Sequence, residues 1–217
     1  MKMTLYGMPL SNYFSMVKHA MLEKGLDFEV VEMRPSQAPD FLQKSPMGKV
    51  PVLETERGFI SETDVILDYL DETWPQHALF PPDPYARAKV RQVMKVQELY
   101  VETPVHNLIG ALFGREVPEP VQEHSRQAAQ QGLQALSRLA RFNPWLCGEM
   151  FTAADIFVFY SFTLGNKLTK LVYRWDMLQE VPGLAAWYDG FQDRAATRDI
   201  LNDTLAAQEA LANRNKG

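Results

Sequence analysis

The chain of 217 residues contains one cysteine, Cys147. A lone thiol cannot close an internal disulfide or build a cysteine-rich metal site. The sequence also lacks a basic excess: 22 Lys and Arg stand against 27 Asp and Glu, a net charge of −5. That sign disfavours nucleic acid and an anionic membrane surface as partners. No apolar run reaches the roughly 20 residues that span a bilayer. No secretory leader is visible, which together with the single thiol leads to the expectation of a reducing cytoplasm. His19, His77, His106 and His124 lack metal-ligand spacing, so surface or helix-end places are expected for them and no metal is expected. What is present suits a folded globule: 46% hydrophobic and 23% charged residues.

Proline divides the chain. Pro75, Pro81, Pro82 and Pro84 cannot continue a helix or a central strand. They set a domain over 1–76, a linker over 77–84 and a second domain over 85–217. The first domain mixes signals. Strands are expected over 2–6, 28–33, 50–54 and 58–60. Helices are expected over 13–24, closed by Gly25, and over 64–72. The order β-α-β-(loop or helix)-β-β-α suggests a small α/β domain with a mixed sheet. The second domain has almost no strand signal. Helices are expected over 86–112, with Pro104 as a point of bending, and over 120–142, 153–164, 184–194 and 197–212. The helix from Ala153 is apolar all round, as a buried helix is.

Three motifs could carry chemistry. Ser11 stands where the first strand hands over to the first helix. A hydroxyl there can cap the helix, or donate to an anion such as a bound thiolate. Ser11 and Phe14 occupy the spacing of a redox C-x-x-C pair, but neither is Cys, so dithiol chemistry is not expected. In Gly48-Lys49-Val50-Pro51, a proline opens a strand. A trans bond is the ordinary state, whereas a cis bond would turn the Val50 backbone toward an extended peptide. In Ser61-Glu62-Thr63-Asp64, Ser61 or Thr63 can cap the next helix. The helix start would attract a ligand carboxylate, and Glu62 beside it an ammonium group; the plainer reading is a capped, solvated helix start. Together these describe a site for an α-amino acid zwitterion.

Read jointly, the motifs resemble the cytosolic glutathione transferase family over nearly the whole chain. "LYGMPLSNYFSMVKHAMLEKGL" is similar to the family's first strand and helix, "GKVPVL" to its cis-proline segment, and "SETDVILDYLDE" to its Glu-Ser pair. The resemblance implies a thioredoxin-like domain with a four-stranded mixed sheet, followed by an all-helical domain. It implies glutathione as co-substrate, conjugated as its thiolate to a small apolar electrophile. Carried over by position, Ser11 matches the hydroxyl that bonds the sulfur in serine-type members, with Ser15 and Tyr6 as runners-up. Val50 matches the residue whose backbone pairs with the cysteinyl part, and Pro51 the cis-proline. Glu62 and Thr63 match the Glu-Ser pair, and Lys49 lies beside the glycyl end. Serine-type members often carry Arg where this chain has Met16. Tyr100 and Phe113 are candidates for the electrophile pocket by the same analogy. Family members are usually homodimers, and the helix over 86–112 is a candidate dimer surface. Other uses of such a site are a glutathione-dependent isomerase or dehalogenase. A non-catalytic regulator resembling the stringent starvation proteins would share the architecture.

Three further features read as structural. Thr152 and Asp155 form a capping box that belongs to folding, not to catalysis. Cys147 reads as a buried inert thiol. Phe157, Phe159, Tyr160 and Phe162 read mostly as core.

Overall fold

The computed structural model describes residues 3–214. The chain forms two compact units, Met1–Leu79 with Gln192–Gly217, and Phe80–Phe191. In the first, β1 (Thr4–Gly7), α1 (Asn12–Glu23), β2 (Glu29–Glu32), α2 (Pro39–Leu42), β3 (Val52–Thr55), β4 (Gly58–Ser61) and α3 (Thr63–Thr73) follow one another. The sheet order is β2-β1-β3-β4. β1 runs parallel to β2 and antiparallel to β3, and β3 is antiparallel to β4. This is the expected mixed four-stranded sheet.

Alternation along the strands sorts the side chains. Leu5 and Leu53 point into a core with Phe14, Val17, Met21, Ile66, Leu67 and Leu70, all essentially inaccessible. Gly7 admits the Phe14 ring, because a Cβ there would lie 2.3 Å from it. α1 ends at Gly25, whose φ of 63° turns the chain back so that Leu26 N–H reaches the Met21 carbonyl at 3.0 Å.

A buried lysine holds the end of this unit. Lys24 Nζ, wholly inaccessible, donates to Asp71 Oδ1 at 3.0 Å and to the Trp74 carbonyl at 2.8 Å. It also reaches the carbonyls of Gln76 and His77. The cation sits at the carbonyl end of α3, where a positive charge is favoured. It therefore ties the first part of the proline-rich segment to α1.

The division differs from the sequence boundaries at the C-terminus. The expected helical domain ran over 85–217. The last helix, α9 (Ala195–Arg214), instead belongs with the first unit, where it packs along α1. Helical periodicity reports that a segment is a helix, not which core it covers.

The second unit contains α4 (Pro84–Gln97), α5 (Thr103–His106), α6 (Glu119–Leu139), α7 (Ala153–Tyr173) and α8 (Leu184–Phe191). The helix expected over 86–112 is broken. A π-helical turn, Glu98–Glu102, joins α4 to α5, with Thr103 N–H bonded to the carbonyl of Glu98, five residues back. Pro104 has no N–H, and its ring crowds the carbonyl four residues earlier, so a wider turn accommodates it. A Gln97–Ser161–Glu102 chain of hydrogen bonds, 2.8 and 2.7 Å, is buried beside that turn. α6 starts at Glu119 and stops at Leu139, ahead of a cis Asn143–Pro144 bond.

α7 is the core of this unit and runs nine residues further than expected, to Tyr173. Gly165 inside it lies where a Cβ would meet Met177 at 3.1 Å, so close packing accounts for this glycine. Phe157, Phe159, Tyr160 and Phe162 are all core. Asp155 closes the start of α7. Its Oδ2 accepts from the Thr152 N–H at 2.9 Å and the Thr152 hydroxyl at 3.0 Å. Its Oδ1 accepts from Leu146 N–H at 2.8 Å and Trp187 Nε1 at 3.3 Å. Burial pushes this carboxyl up to about 6 against the pull of those bonds. Burial and the nearby Asp155 push the Cys147 thiol up to about 12, so it is no nucleophile at neutral pH. No helix among the described residues is long and apolar enough to cross a membrane.

Candidate functional site

Backbone pairing gathers three loops at one end of the sheet. Tyr6 near the end of β1 lies opposite Val52, the first residue of β3. Val52 in turn lies opposite Ser61, the last residue of β4. The chain leaves β1 toward Ser11, enters β3 through Lys49, Val50 and Pro51, and leaves β4 into Glu62 and Thr63. All six residues singled out in the sequence therefore flank the same end of one sheet.

Ser11 is the N-cap of α1, with extended backbone and an Oγ that accepts the Phe14 N–H at 3.3 Å. Capping uses a lone pair of the hydroxyl. Its proton has no acceptor among the described residues, so the cap and a donor role are compatible. The two alternatives have different fates. Ser15 is buried and donates its hydroxyl to the Ser11 carbonyl at 3.1 Å. Tyr6 donates its hydroxyl to Glu54 Oε2 at 2.5 Å. That bond, with partial burial and the Glu54 charge, pushes the phenol up to about 12. Its ring packs against Phe59, and the Lys44 ammonium lies 4.7 Å from its centre. Met16 is fully buried and serves as core.

The Val50–Pro51 bond is cis. Neither the N–H nor the C=O of Val50 is paired with backbone among the described residues. The approach to it is fixed by Gly48, whose φ is +65° and whose Cβ would fall 2.2 Å from the Ser36 carbonyl oxygen. Ser36 N–H donates to the Gly48 carbonyl at 2.9 Å, and Lys49 N–H to Ser45 Oγ at 3.0 Å. The Lys49 side chain is exposed.

At the third loop the expected cap is missing. Neither Ser61 nor Thr63 caps α3. Glu62 occupies the N-cap position with φ 70° and ψ 120°, and its side chain makes no cap hydrogen bond. Thr63 is already inside the helix, one residue past the place from which a hydroxyl can cap. A non-glycine residue at positive φ is held against a cost of about 1–3 kcal/mol. Glu62 is exposed and Thr63 is buried; the Glu62 carbonyl accepts from Ile66 N–H at 3.0 Å, whereas its carboxylate makes no cap hydrogen bond. The loop is thus a strained carboxylate beside an open helix start, a pairing suited to an ammonium group and a carboxylate on one molecule.

Sequence reasoning missed the polar clasp on the far end of α1. His19, expected near a surface or helix end, is wholly buried and lies 3.0 Å from Glu23. Burial lowers its pKa, against the pull of the Glu23 carboxylate. Burial raises that of Glu23, but hydrogen bonds from His19 and Arg194 outweigh it and bring the carboxyl down to about 2. Arg194 is 171 residues away in sequence, so no local pattern could have announced it. Among the described residues no group of three His, Cys, Asp or Glu could hold a metal. Tyr100 lies in the π-turn and Phe113 in a 3₁₀ turn, Ile109–Phe113, and both are exposed.

Comparison with known proteins agrees with this frame. Residues 5–78 match the family model of the glutathione S-transferase N-terminal domain, and residues 119–190 that of its C-terminal domain. A glutathione S-transferase of Pseudomonas putida is 45% identical over 208 residues, 95% of this chain and 94% of that one. A maleylacetoacetate isomerase of Pseudomonas aeruginosa is 27% identical, covering 88% of this chain and 94% of its own. A glutathione S-transferase of Methylobacillus flagellatus, solved with GSH bound, superposes with a TM-score of 0.77 at 26% identity, covering 91% of this chain and 98% of that one. The chain belongs to the glutathione S-transferase family.

Proposed function

We propose that this protein activates glutathione as its thiolate and transfers it to a small apolar electrophile. The observation that carries the reading is the open start of α3 beside the strained Glu62. Glu62 takes the ammonium of the γ-glutamyl end, and Thr63 with the first turn of α3 takes its carboxylate. Val50 pairs its free backbone groups with the cysteinyl part, in an orientation set by the cis bond to Pro51. Lys49 attracts the glycyl carboxylate. Ser11 donates its unused proton to the sulfur.

The chemistry asked of the site is modest. A free thiol has a pKa near 8.5, so most of it is protonated at neutral pH. A hydroxyl donor and a helix start both favour the charged form and lower that value. Ser11, not Tyr6 or Ser15, is the sulfur partner in this reading, because the other two hydroxyls are committed elsewhere. Ser11→Ala is expected to raise the pH midpoint of the rate by about one unit, since each lost hydrogen bond to a charged group is worth about 1.5–3 kcal/mol. A pH–rate profile identical to wild type would count against Ser11.

The likeness to a maleylacetoacetate isomerase favours a second use of the same site, in which the thiolate adds to an unsaturated acid and leaves again. Product analysis with a cis-unsaturated dicarboxylic acid separates isomerisation from conjugation. We further propose a homodimer in the cytoplasm. Light scattering that gave the mass of one chain would reject the dimer.

A further inference from the structure

The C-terminal helix α9 is fastened along α1 at three points, in antiparallel order. Arg194, just before α9, bonds Glu23 at the end of α1 at 2.8 Å. Asp203 pairs with Lys18 at 2.5 Å. Thr204 donates its hydroxyl to the carbonyl of Pro9, ahead of α1, at 2.9 Å. In the Lys18–Asp203 pair the side chains are 19% and 50% exposed, so solvent screens it in part. Ile200, 2% exposed, provides the apolar anchor.

The Thr204 contact is of a different kind from the other two. A helical threonine ordinarily gives its proton to the carbonyl four residues back, and Thr204 does reach Ile200 at 2.9 Å. The same proton is shared with a carbonyl 195 residues away in sequence. Pro9 lies inside the turn closed by Ser11 N–H to the Met8 carbonyl at 2.9 Å. The proline ring already fixes φ at Pro9. Holding its carbonyl fixes the next peptide plane, and with it ψ of Pro9 and φ of Leu10. These are the soft dihedrals between the end of β1 and the Ser11 cap.

We propose that Thr204 is a positioning residue for the sulfur site: through the Pro9 carbonyl it sets the direction of the Ser11 hydroxyl. This rests on the glutathione reading above. It gives the last helix a part in a site whose other residues all lie before position 64. Loss of the bond lets the Met8–Ser11 turn reorient, which weakens donation to the sulfur while the Glu62 and Val50 contacts to the rest of glutathione stay in place. The deficit therefore falls on thiol ionisation more than on glutathione affinity.

The test uses the full chain as wild type, Thr204→Val, Thr204→Ser and Ser11→Ala. The readouts are the ultraviolet absorbance of bound glutathione thiolate against pH, the kcat and glutathione KM, and the melting temperature. Thr204→Val, nearly isosteric, is expected to move the thiolate midpoint upward by about half a pH unit or more, with KM changed less than twofold. Thr204→Ser is expected to keep the wild-type midpoint. A Val variant with the wild-type midpoint overturns the proposal, and so does a Ser variant shifted as far as Val, because then the hydroxyl is not the agent. If wild type shows no bound thiolate, or Ser11→Ala leaves the midpoint where it was, the glutathione reading itself fails and takes this one with it.

Discussion

The helices α3 and α7 begin from similar-looking sequences and start in opposite ways. Each start carries a threonine close to an aspartate. At α7, Thr152 stands outside the helix, and Asp155 gathers four donors from Leu146, Thr152 and Trp187. At α3, Thr63 has slipped inside, and Glu62 takes the outer position at φ 70° without a side-chain cap bond. A helix start that serves folding satisfies its polar groups within the chain. One that is proposed to serve a ligand leaves its cap unmade and accepts local strain.

The contrast can be broken by substitution. Asp155→Ala is expected to have the largest effect, a loss of about 3–5 kcal/mol, because it leaves several buried donors without an acceptor. Urea unfolding measures it, and a loss below about 1 kcal/mol would show that the closed start matters little. Glu62→Gly is expected to act in the other direction. Glycine tolerates positive φ, so stability rises by about 1 kcal/mol while glutathione binding weakens. A variant less stable than wild type would show that the Glu62 side chain has a structural role. Thr152→Ala is the mildest, a loss of about 1 kcal/mol, with glutathione binding unchanged.

Much of the first unit was legible in the sequence because its signals are local. Strand alternation, the Gly25 stop and the proline after Gly48 each act within a few residues. The six candidate residues come together for a related reason: they lie on loops that a β-α-β-β-α order returns to one end of a sheet. The capping of α3 was not legible. Whether a hydroxyl stands at or one past the cap depends on a single backbone angle at Glu62. The long helix over 86–112 departed from expectation ahead of Pro104, where a π-turn at Glu98–Glu102 replaced a simple bend, and at His106, where α5 ends. The place of α9, the Lys24 clasp and the Glu23–Arg194 pair were out of reach because each joins residues far apart in the chain.

The most direct test of the open helix start is a calorimetric titration of glutathione into wild type and into Glu62→Ala. The expected result is binding by wild type that weakens about tenfold or more in the variant, about 1.4 kcal/mol or more, with no loss of melting temperature. Folded wild type that binds no glutathione, or a variant that binds as tightly as wild type, would contradict it.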